Sequence, residues 1–107
     1  MKPLKLMPKL YEYFGLIIYF YAHEHLPIHV HGRYQGLESK AEILMRNGEV
    51  WRINFSTTAG KKPLKGKKLE EFKLLVELKA TDIVRRWTEF FVLRRHIKPE
   101  IITRRLK

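Results

Sequence analysis

The Asn47-Gly48 dipeptide, flanked on both sides by alternating apolar and polar residues, constrains the fold of this chain more than any other feature. Asn-Gly is the strongest short signal for a β-hairpin, because a two-residue type I′ turn needs a positive φ angle at both positions. The alternation before the pair predicts a strand over about 40–46, and the alternation after it predicts one over about 49–55. A hairpin is therefore expected near the middle of the chain.

Two more strands are expected before this hairpin. Residues 14–22 are rich in aromatic and β-branched side chains, and alternation resumes over 28–34 after a turn at 23–27. Four consecutive strands joined by short turns predict an antiparallel four-stranded meander with one apolar face.

The second half of the chain carries a helical pattern. Apolar residues recur at helical spacing over about 67–79 and again over about 81–95, where Thr81 is expected to be the N-cap of a second helix. Neither helix is stable alone at this length, so both are expected to cover the apolar face of the sheet. With 107 residues, the sequence predicts a single α+β domain over 1–107.

Positive charge is concentrated in the same half. The chain has a formal charge of +11; residues 1–55 hold 7 basic and 5 acidic residues, whereas 56–107 hold 15 and 6. Because such a surface attracts polyanions, we expect RNA or an acidic partner protein. A basic connector at 56–66, expected to be exposed and mobile, and a basic tail at 96–107 flank the predicted helices. The predicted nucleic-acid contacts of this half are Lys61, Lys62, Lys65, Lys67, Lys68, Arg85 and Arg86.

The chain has no cysteine, which excludes a disulfide framework, a thiolate nucleophile and a Cys-ligated metal. This composition fits a cytoplasmic protein. The apolar run over 14–21 is too short to span a bilayer, so no membrane span is expected, and no cofactor is predicted.

Four of the five histidines lie between His23 and His31. In a strand, His29 and His31 project from the same face, and their expected neighbours across the hairpin are Tyr19 and Tyr21. This polar face is expected to gather Tyr19, Tyr21, His29, His31, Arg33, Glu42, Arg46, Arg52 and Asn54.

Three interpretations of the histidines are open. In the first, imidazoles and phenols form a half-buried polar face whose hydrogen bonds are satisfied. In the second, nitrogen and oxygen donors hold a metal, and the candidate ligands are His23, Glu24, His25, His29 and His31. In the third, the face binds or cleaves RNA. A non-enzymatic module that docks an acidic protein, with structural or metal-binding histidines, is the alternative to an RNA-directed protein, so whether the chain is an enzyme stays open.

The RNA interpretation assigns a role to each residue type. Histidine exchanges a proton near neutral pH, arginine stabilises charge on phosphate, and tyrosine stacks on unpaired bases. The predicted acid/base group is Glu24, His25, His29 and His31. Arg33 and Arg52 are expected to stabilise phosphate charge. Tyr19 and Tyr21 are expected to stack on bases.

These residues also resemble a known family. The resemblance is carried by Phe14-Gly15-Leu16-Ile17-Ile18-Tyr19-Phe20-Tyr21, Glu24-His25-x-Pro27-x-His29-Val30, Tyr34, Asn47-Gly48-Glu49 and a C-terminal helix pair with Trp87. Over about 14–91 they resemble the small prokaryotic domain-of-unknown-function 4160 family. Its members have a strand, an Asn/Glu-His-x-Pro-Pro-His-Phe-His turn and a second strand. Ile28 stands where the second proline is usual, and the connector is unusually rich in lysine.

The resemblance implies that the residues of this turn matter to function, although the family has no established activity. The turn corresponds to Glu24, His25, Pro27, His29 and, more loosely, His31. Members of the family are often encoded beside a second small domain. That arrangement implies a toxin-antitoxin-like pair, in which a basic RNA-directed protein binds an acidic partner.

Overall fold

The described part of the chain folds into six strands and one long helix. The computed structural model describes residues 7–22 and 26–106. The strands are β1 (Lys9–Tyr13), β2 (Leu16–Tyr19), β3 (His29–Tyr34), β4 (Leu37–Arg46), β5 (Glu49–Thr57) and β6 (Glu100–Ile102). The helix is α1 (Gly66–Trp87), and a π-helical segment (Thr88–Val92) follows it directly.

The strands form one mixed sheet in the order β5-β4-β3-β2-β1-β6. Neighbours from β1 to β5 are antiparallel, whereas β6 lies parallel to β1. The predicted α+β class is confirmed, and the four predicted strands correspond to β2–β5. The prediction of a sheet with only four strands is wrong.

The two outer strands at the β1 side lack a readable sequence pattern. β1 has five residues and precedes the apolar run interpreted as the first strand, and β6 has three residues within the predicted basic tail. Three residues are too few to show alternation. β6 is a strand because it pairs with Tyr11–Tyr13 of β1, a long-range contact that local sequence does not encode.

Two-residue turns with positive φ angles join three pairs of strands. Asn47 and Gly48 have φ angles of 53° and 80°, so the hairpin predicted there is confirmed. Gln35-Gly36 and Phe14-Gly15 have the same pattern of two positive φ angles. The Phe14-Gly15 turn shortens the strand predicted over 14–22, because these two residues join β1 to β2.

One continuous helix replaces the two predicted helices, so that prediction is wrong. α1 runs through Thr81, which is therefore not an N-cap. Ala80 and Ile83 are buried like Val76 before them, so the apolar stripe continues without a break. No proline or glycine stands between 67 and 87 to end the helix. In the described residues, no helix is long and apolar enough to cross a membrane.

The helix packs on one face of the sheet. Phe72 of α1 lies directly over Gly32 of β3, where an added Cβ atom would come within 2.4 Å of the Phe72 ring. The core around this contact includes Ile18, Phe20, Val30, Ala41, Ile43, Leu75, Val76 and Ile83. Because side chains alternate across a sheet, the residues between these core positions point away from α1.

The connector between β5 and α1 is hydrogen-bonded to β4. The Glu38 amide donates to the Lys62 carbonyl at 2.8 Å, and the Leu64 amide donates to Ser39 Oγ at 3.0 Å. Leu64 is buried in the core, whereas the side chains of Lys61, Lys62 and Lys65 are exposed. The expectation of an exposed connector therefore holds for its lysines and fails at Leu64.

The basic tail also contacts the rest of the fold. The guanidinium carbon of Arg105 lies 3.9 Å from the centroid of the Phe14 ring, and its Nη1 lies 3.3 Å from the Glu71 carboxylate. The amide of Leu106 donates to the Tyr13 hydroxyl at 3.2 Å. Up to Leu106, the tail thus contributes a strand and a packed end.

Asp82 links the helix to β1. Its carboxylate accepts hydrogen bonds from the Tyr11 hydroxyl and from the guanidinium groups of Arg85 and Arg86. Burial would raise the pKa of Asp82, but these bonds lower the pKa from 3.8 to about 2. Because the pKa is lower in the folded chain, the stabilisation is complete above about pH 4 and is lost as the pH falls through about 2.

We expect Asp82→Asn to lower the free energy of unfolding at neutral pH by about 1–2 kcal/mol, allowing for solvent screening at this partly exposed carboxylate. Urea denaturation of the natural and variant chains at neutral pH and near pH 2 checks this, because the difference between them should shrink in acid. An undiminished difference in acid would contradict the assignment.

Candidate nucleic-acid interface

The face of the sheet opposite α1 gathers the polar residues of β2–β5. Tyr19 pairs with His31, and Arg33 pairs with Glu38; paired residues point to the same side of a sheet. Further pairs on this face are His29 with Glu42, Glu42 with Asn54, and Leu44 with Arg52. The alternation in the sequence therefore predicts which side chains share this face.

Four residues on this face form a hydrogen-bonded group, the Glu38 cluster, which consists of Tyr19, Tyr21, His31 and Glu38. Glu38 Oε2 lies 3.2 Å from His31 Nδ1 and 3.1 Å from the Tyr21 hydroxyl. The Tyr19 hydroxyl donates to Glu38 Oε1 and lies 3.3 Å from the Tyr21 hydroxyl. Tyr19 and His31 are each 1% exposed and Glu38 is 0% exposed. The cluster is a buried polar unit, of which only Tyr21 is partly accessible.

Glu38 is held as a carboxylate although it is fully buried. Burial raises the pKa of Glu38, but hydrogen bonds from Tyr19 and Thr58 and the nearby His31 lower the pKa by more, to below its usual value. Burial and the bond to Glu38 raise the pKa of Tyr19, so its hydroxyl stays a donor. A buried carboxylate is tolerated only while such donors surround it.

The basic connector adjoins the Glu38 cluster. Thr58 Oγ1 lies 3.3 Å from His31 Nδ1. Four residues later, the Lys62 carbonyl accepts the hydrogen bond from the Glu38 backbone amide. A side chain and a carbonyl of one loop therefore contact two members of the cluster, which brings the exposed Lys61 and Lys62 to the border of the polar face.

The other predicted acid/base residues are only partly visible. His29 is half-buried; its Nδ1 lies 2.7 Å from the Pro27 carbonyl, and its ring centroid lies 5.4 Å from that of His31. His23, Glu24 and His25 lie outside the described residues. Within 7–22 and 26–106, no group of three or more His, Asp or Glu residues could hold a metal ion.

Three arginines and a tryptophan are exposed on or beside this face. Arg33 is exposed, and its guanidinium carbon lies 5.2 Å from the centroid of the Tyr19 ring. At the far end, a bulge in the pairing of β4 with β5 accompanies Trp51, which is 45% exposed. The guanidinium carbons of Arg46 and Arg52 lie 3.8 and 4.6 Å from its ring. This tip combines an aromatic surface with two cations.

Three of the predicted basic contacts on α1 are paired with carboxylates. Arg85 forms ion pairs with Asp82 and, at 2.9 Å, with Glu89, while Arg86 pairs with Asp82 at 2.8 Å. Lys68 pairs with a carboxylate of its own helix, Glu71, at 2.9 Å, and Lys67 is exposed on the first turn of α1. The predicted nucleic-acid contacts thus divide between the polar face with its connector, and a helix on the opposite face.

Comparison with known protein families gives one match. Residues 15–88 match the model of a domain of unknown function, DUF4160, which is more than half of the chain. The chain belongs to the DUF4160 family. A search among curated proteins and another among solved structures found no match. The DUF4160 segment contains β2–β5, the connector and α1, so it includes the whole Glu38 cluster, and β1 and β6 lie outside it.

Sequence reasoning missed two residues of this DUF4160 site, Glu38 and Thr58. Glu38 joins the histidine face only because the turn at Gln35-Gly36 has two residues, which pairs Arg33 with Glu38. Gly36 was the available signal for such a turn, but Gln lacks the strong preference of Asn for a positive φ angle. Thr58 had no local signal, since its role depends on how the connector leaves β5.

Proposed function

We propose that this chain binds single-stranded RNA on the polar face of β2–β5, with the lysines of the connector contacting phosphates. The observation that carries the proposal is the contact of Thr58 and Lys62 with the Glu38 cluster, which joins the basic connector to that face. A cationic loop beside an open sheet face suits a flexible polyanion, because phosphates and bases are then contacted together.

The chemistry of the face supports RNA in single-stranded form. Arg33 and Arg52 are exposed among half-buried and exposed polar side chains, and Tyr21 and Trp51 offer partly accessible rings. Sheet faces with accessible rings and cations bind unpaired bases by stacking and phosphates by charge. Duplex DNA fits less well, because the one helix described turns its apolar stripe to the core and Arg85 and Arg86 to its own carboxylates.

The burial of His31 favours binding over a cleavage step that uses this histidine. Proton transfer to RNA needs a side chain within hydrogen-bond reach of the reacting group. His31 and Tyr19 are 1% exposed, so neither reaches a bound strand in this conformation. We assign the Glu38 cluster the task of holding the face rigid under Arg33 and His29. We assign stacking to Tyr21, which is half-buried beside His31, and to Trp51, which is 45% exposed beside Arg46 and Arg52.

Replacing both Lys61 and Lys62 by glutamine tests this proposal. We expect affinity for a short uridine-rich RNA to fall about tenfold, and the salt dependence of log K to become shallower by about 1.4, since each lost single-strand contact removes about 0.7. Fluorescence anisotropy at several salt concentrations measures both quantities. The matched control replaces Lys73 and Lys98, which are also exposed and carry the same charge.

The control variant should bind RNA almost as the natural chain does. Equal losses in both double variants would mean that net charge alone attracts RNA, and the assigned face would be wrong. An absence of RNA binding by the natural chain would favour the acidic protein partner over RNA.

A further inference from the structure

A second surface lies where the π-helical segment ends. Two cavities of about 360 and 520 Å³ share Phe90 and His96 in their walls. Neither cavity is lined by a residue of the polar face or of the connector. We call this pair of cavities the C-terminal groove. Its residues beyond Thr88 follow the segment matched by the family model, so the groove extends past the family's common part.

The floor of the groove is apolar. Its apolar walls include Met7, Pro8, Phe90, Phe91, Ile97 and Pro99. Between Phe91 and Arg94, which line the first cavity, Val92 is 60% exposed and Leu93 is 49% exposed. The groove therefore offers apolar area that a ligand could remove from water.

The rim of the groove is basic. Lys9, Arg94 and Arg95 line the two cavities, and none of the described residues that line them is acidic. Arg94 also has a φ angle of 58°, a left-handed conformation that is uncommon for a residue other than glycine. A π-helical segment precedes Arg94, and such backbone irregularities concentrate at functional sites.

We propose that the C-terminal groove docks an acidic segment of a partner protein, which places apolar side chains on the floor and carboxylates against the rim. Charge complementarity selects this occupant, because Lys9, Arg94 and Arg95 line the cavities and the described part of the lining holds no acid, which favours carboxylates. The apolar floor adds the free energy of burying apolar side chains, which a purely acidic tail does not have.

Other occupants fit the groove less well. RNA needs open ring faces, but Phe91 packs against Phe20 and Trp87 with ring centroids 5.5 and 5.1 Å apart, and Phe90 packs edge-on against Phe91. Apart from His96 and the basic rim, the remaining wall residues are aliphatic side chains, a methionine and prolines, which do not stack bases. A second copy of the chain would bring another surface of net positive charge against the rim. This inference rests on the groove alone and does not depend on RNA binding by the polar face.

The test uses the full chain and a synthetic peptide. The peptide repeats a unit of one glutamate, one leucine and one phenylalanine. One control peptide replaces glutamate by lysine, and a second replaces the apolar residues by serine. A uridine oligonucleotide with the same number of negative charges is the third probe. We expect the parent peptide to bind at least about tenfold more tightly than any of these three probes.

Variants of the chain locate the binding. The double variant Arg94→Glu with Arg95→Glu should lower the affinity for the parent peptide at least about tenfold. Leu93→Ser should also lower this affinity, without changing the net charge of the chain. Lys61→Glu with Lys62→Glu changes the charge equally at the connector and should leave peptide binding nearly unchanged. Circular dichroism confirms that each variant is folded.

Four results would overturn the proposal. Equal binding of the serine peptide would mean that charge alone acts, and an equal loss in the connector variant would mean that the groove is not the site. Loss of RNA binding in the Arg94 and Arg95 variant, with no peptide binding, would assign the groove to nucleic acid. Self-association of the chain that Leu93→Ser abolishes would assign it to a second copy. RNA binding by the polar face, measured with the Lys61 and Lys62 variant, succeeds or fails independently.

Discussion

Replacing Glu38 by glutamine should lower the free energy of unfolding by about 3–5 kcal/mol, the range expected when one partner of a buried ionic group is removed. The carboxylate is 0% exposed and accepts hydrogen bonds from Tyr19 and Tyr21 beside His31. An amide keeps the shape, but it brings an NH₂ group toward hydroxyls that already donate, and it removes the negative charge that Tyr19, Tyr21 and His31 surround. Urea denaturation followed by circular dichroism measures the loss.

The matched control for this substitution is Glu42→Gln. Glu42 lies on the same strand and the same face but is only half-buried, so its replacement should change the free energy of unfolding by less than about 1 kcal/mol. Within the cluster, Tyr19→Phe should cost more than Tyr21→Phe, because Tyr19 is buried and Tyr21 is partly exposed. A Glu38→Gln chain as stable as the Glu42→Gln chain would contradict the structural role given to the cluster.

Replacing Gly32 by alanine should destabilise the chain by about 1–3 kcal/mol, the usual cost of adding a methyl group to a filled core. The new Cβ atom would come within 2.4 Å of Phe72 Cδ1 and 2.6 Å of Cε1. Phe72 is 0% exposed, and its ring also packs edge-on against Phe55 at 5.9 Å, so it has little room to move. Denaturation in urea gives the magnitude.

A second substitution separates the clash from a general loss of packing. Phe72→Leu alone should also be destabilising, because it leaves a cavity over the sheet. In the double variant Gly32→Ala with Phe72→Leu, the methyl group enters space that the ring vacates, so the combined loss should be smaller than the sum of the single losses. Additive losses would show that Gly32 and Phe72 do not constrain each other.

The predictable part of the fold is the part that local pattern determines. The Asn47-Gly48 turn and the alternation of residues on either side of it locate β4 and β5, and the histidines at every second position locate the polar face of β3. Turn chemistry and period-two patterning act over a few residues, so they can be read directly. The same patterning predicts that Tyr19 and Tyr21 neighbour His29 and His31, and Tyr19 does pair with His31.

The parts that were missed depend on contacts between distant residues. β6 exists because β1 is there to pair with it, and Thr58 reaches His31 only because the connector turns back along β4. Thr81 resembled an N-cap in isolation, yet the apolar stripe of α1 carried the helix through it. Glu38 was hidden by its type, since a glutamate after a turn is usually solvated, and here two tyrosines and a histidine bury it.

The two proposed surfaces divide the chemistry of the chain between different parts of the sequence. The polar face and connector lie within the segment shared with the DUF4160 family, whereas most of the C-terminal groove follows it. The proposed RNA site and the proposed partner site should therefore be separable by mutation. We therefore expect the Lys61 and Lys62 variant to lose RNA binding and keep peptide binding. The Arg94 and Arg95 variant should lose peptide binding and keep RNA binding.

The most direct test of the central claim is a nuclear magnetic resonance titration of the isotope-labelled chain with a short uridine-rich RNA. Binding on the polar face predicts that the amide signals of Arg33, Arg52, Asn54, Lys61 and Lys62 shift together and saturate at one RNA concentration. Signals of α1 residues such as Lys73 and Glu77 should stay in place. Shifts confined to α1 or to Arg94 and Arg95, with the polar face unchanged, would contradict the account.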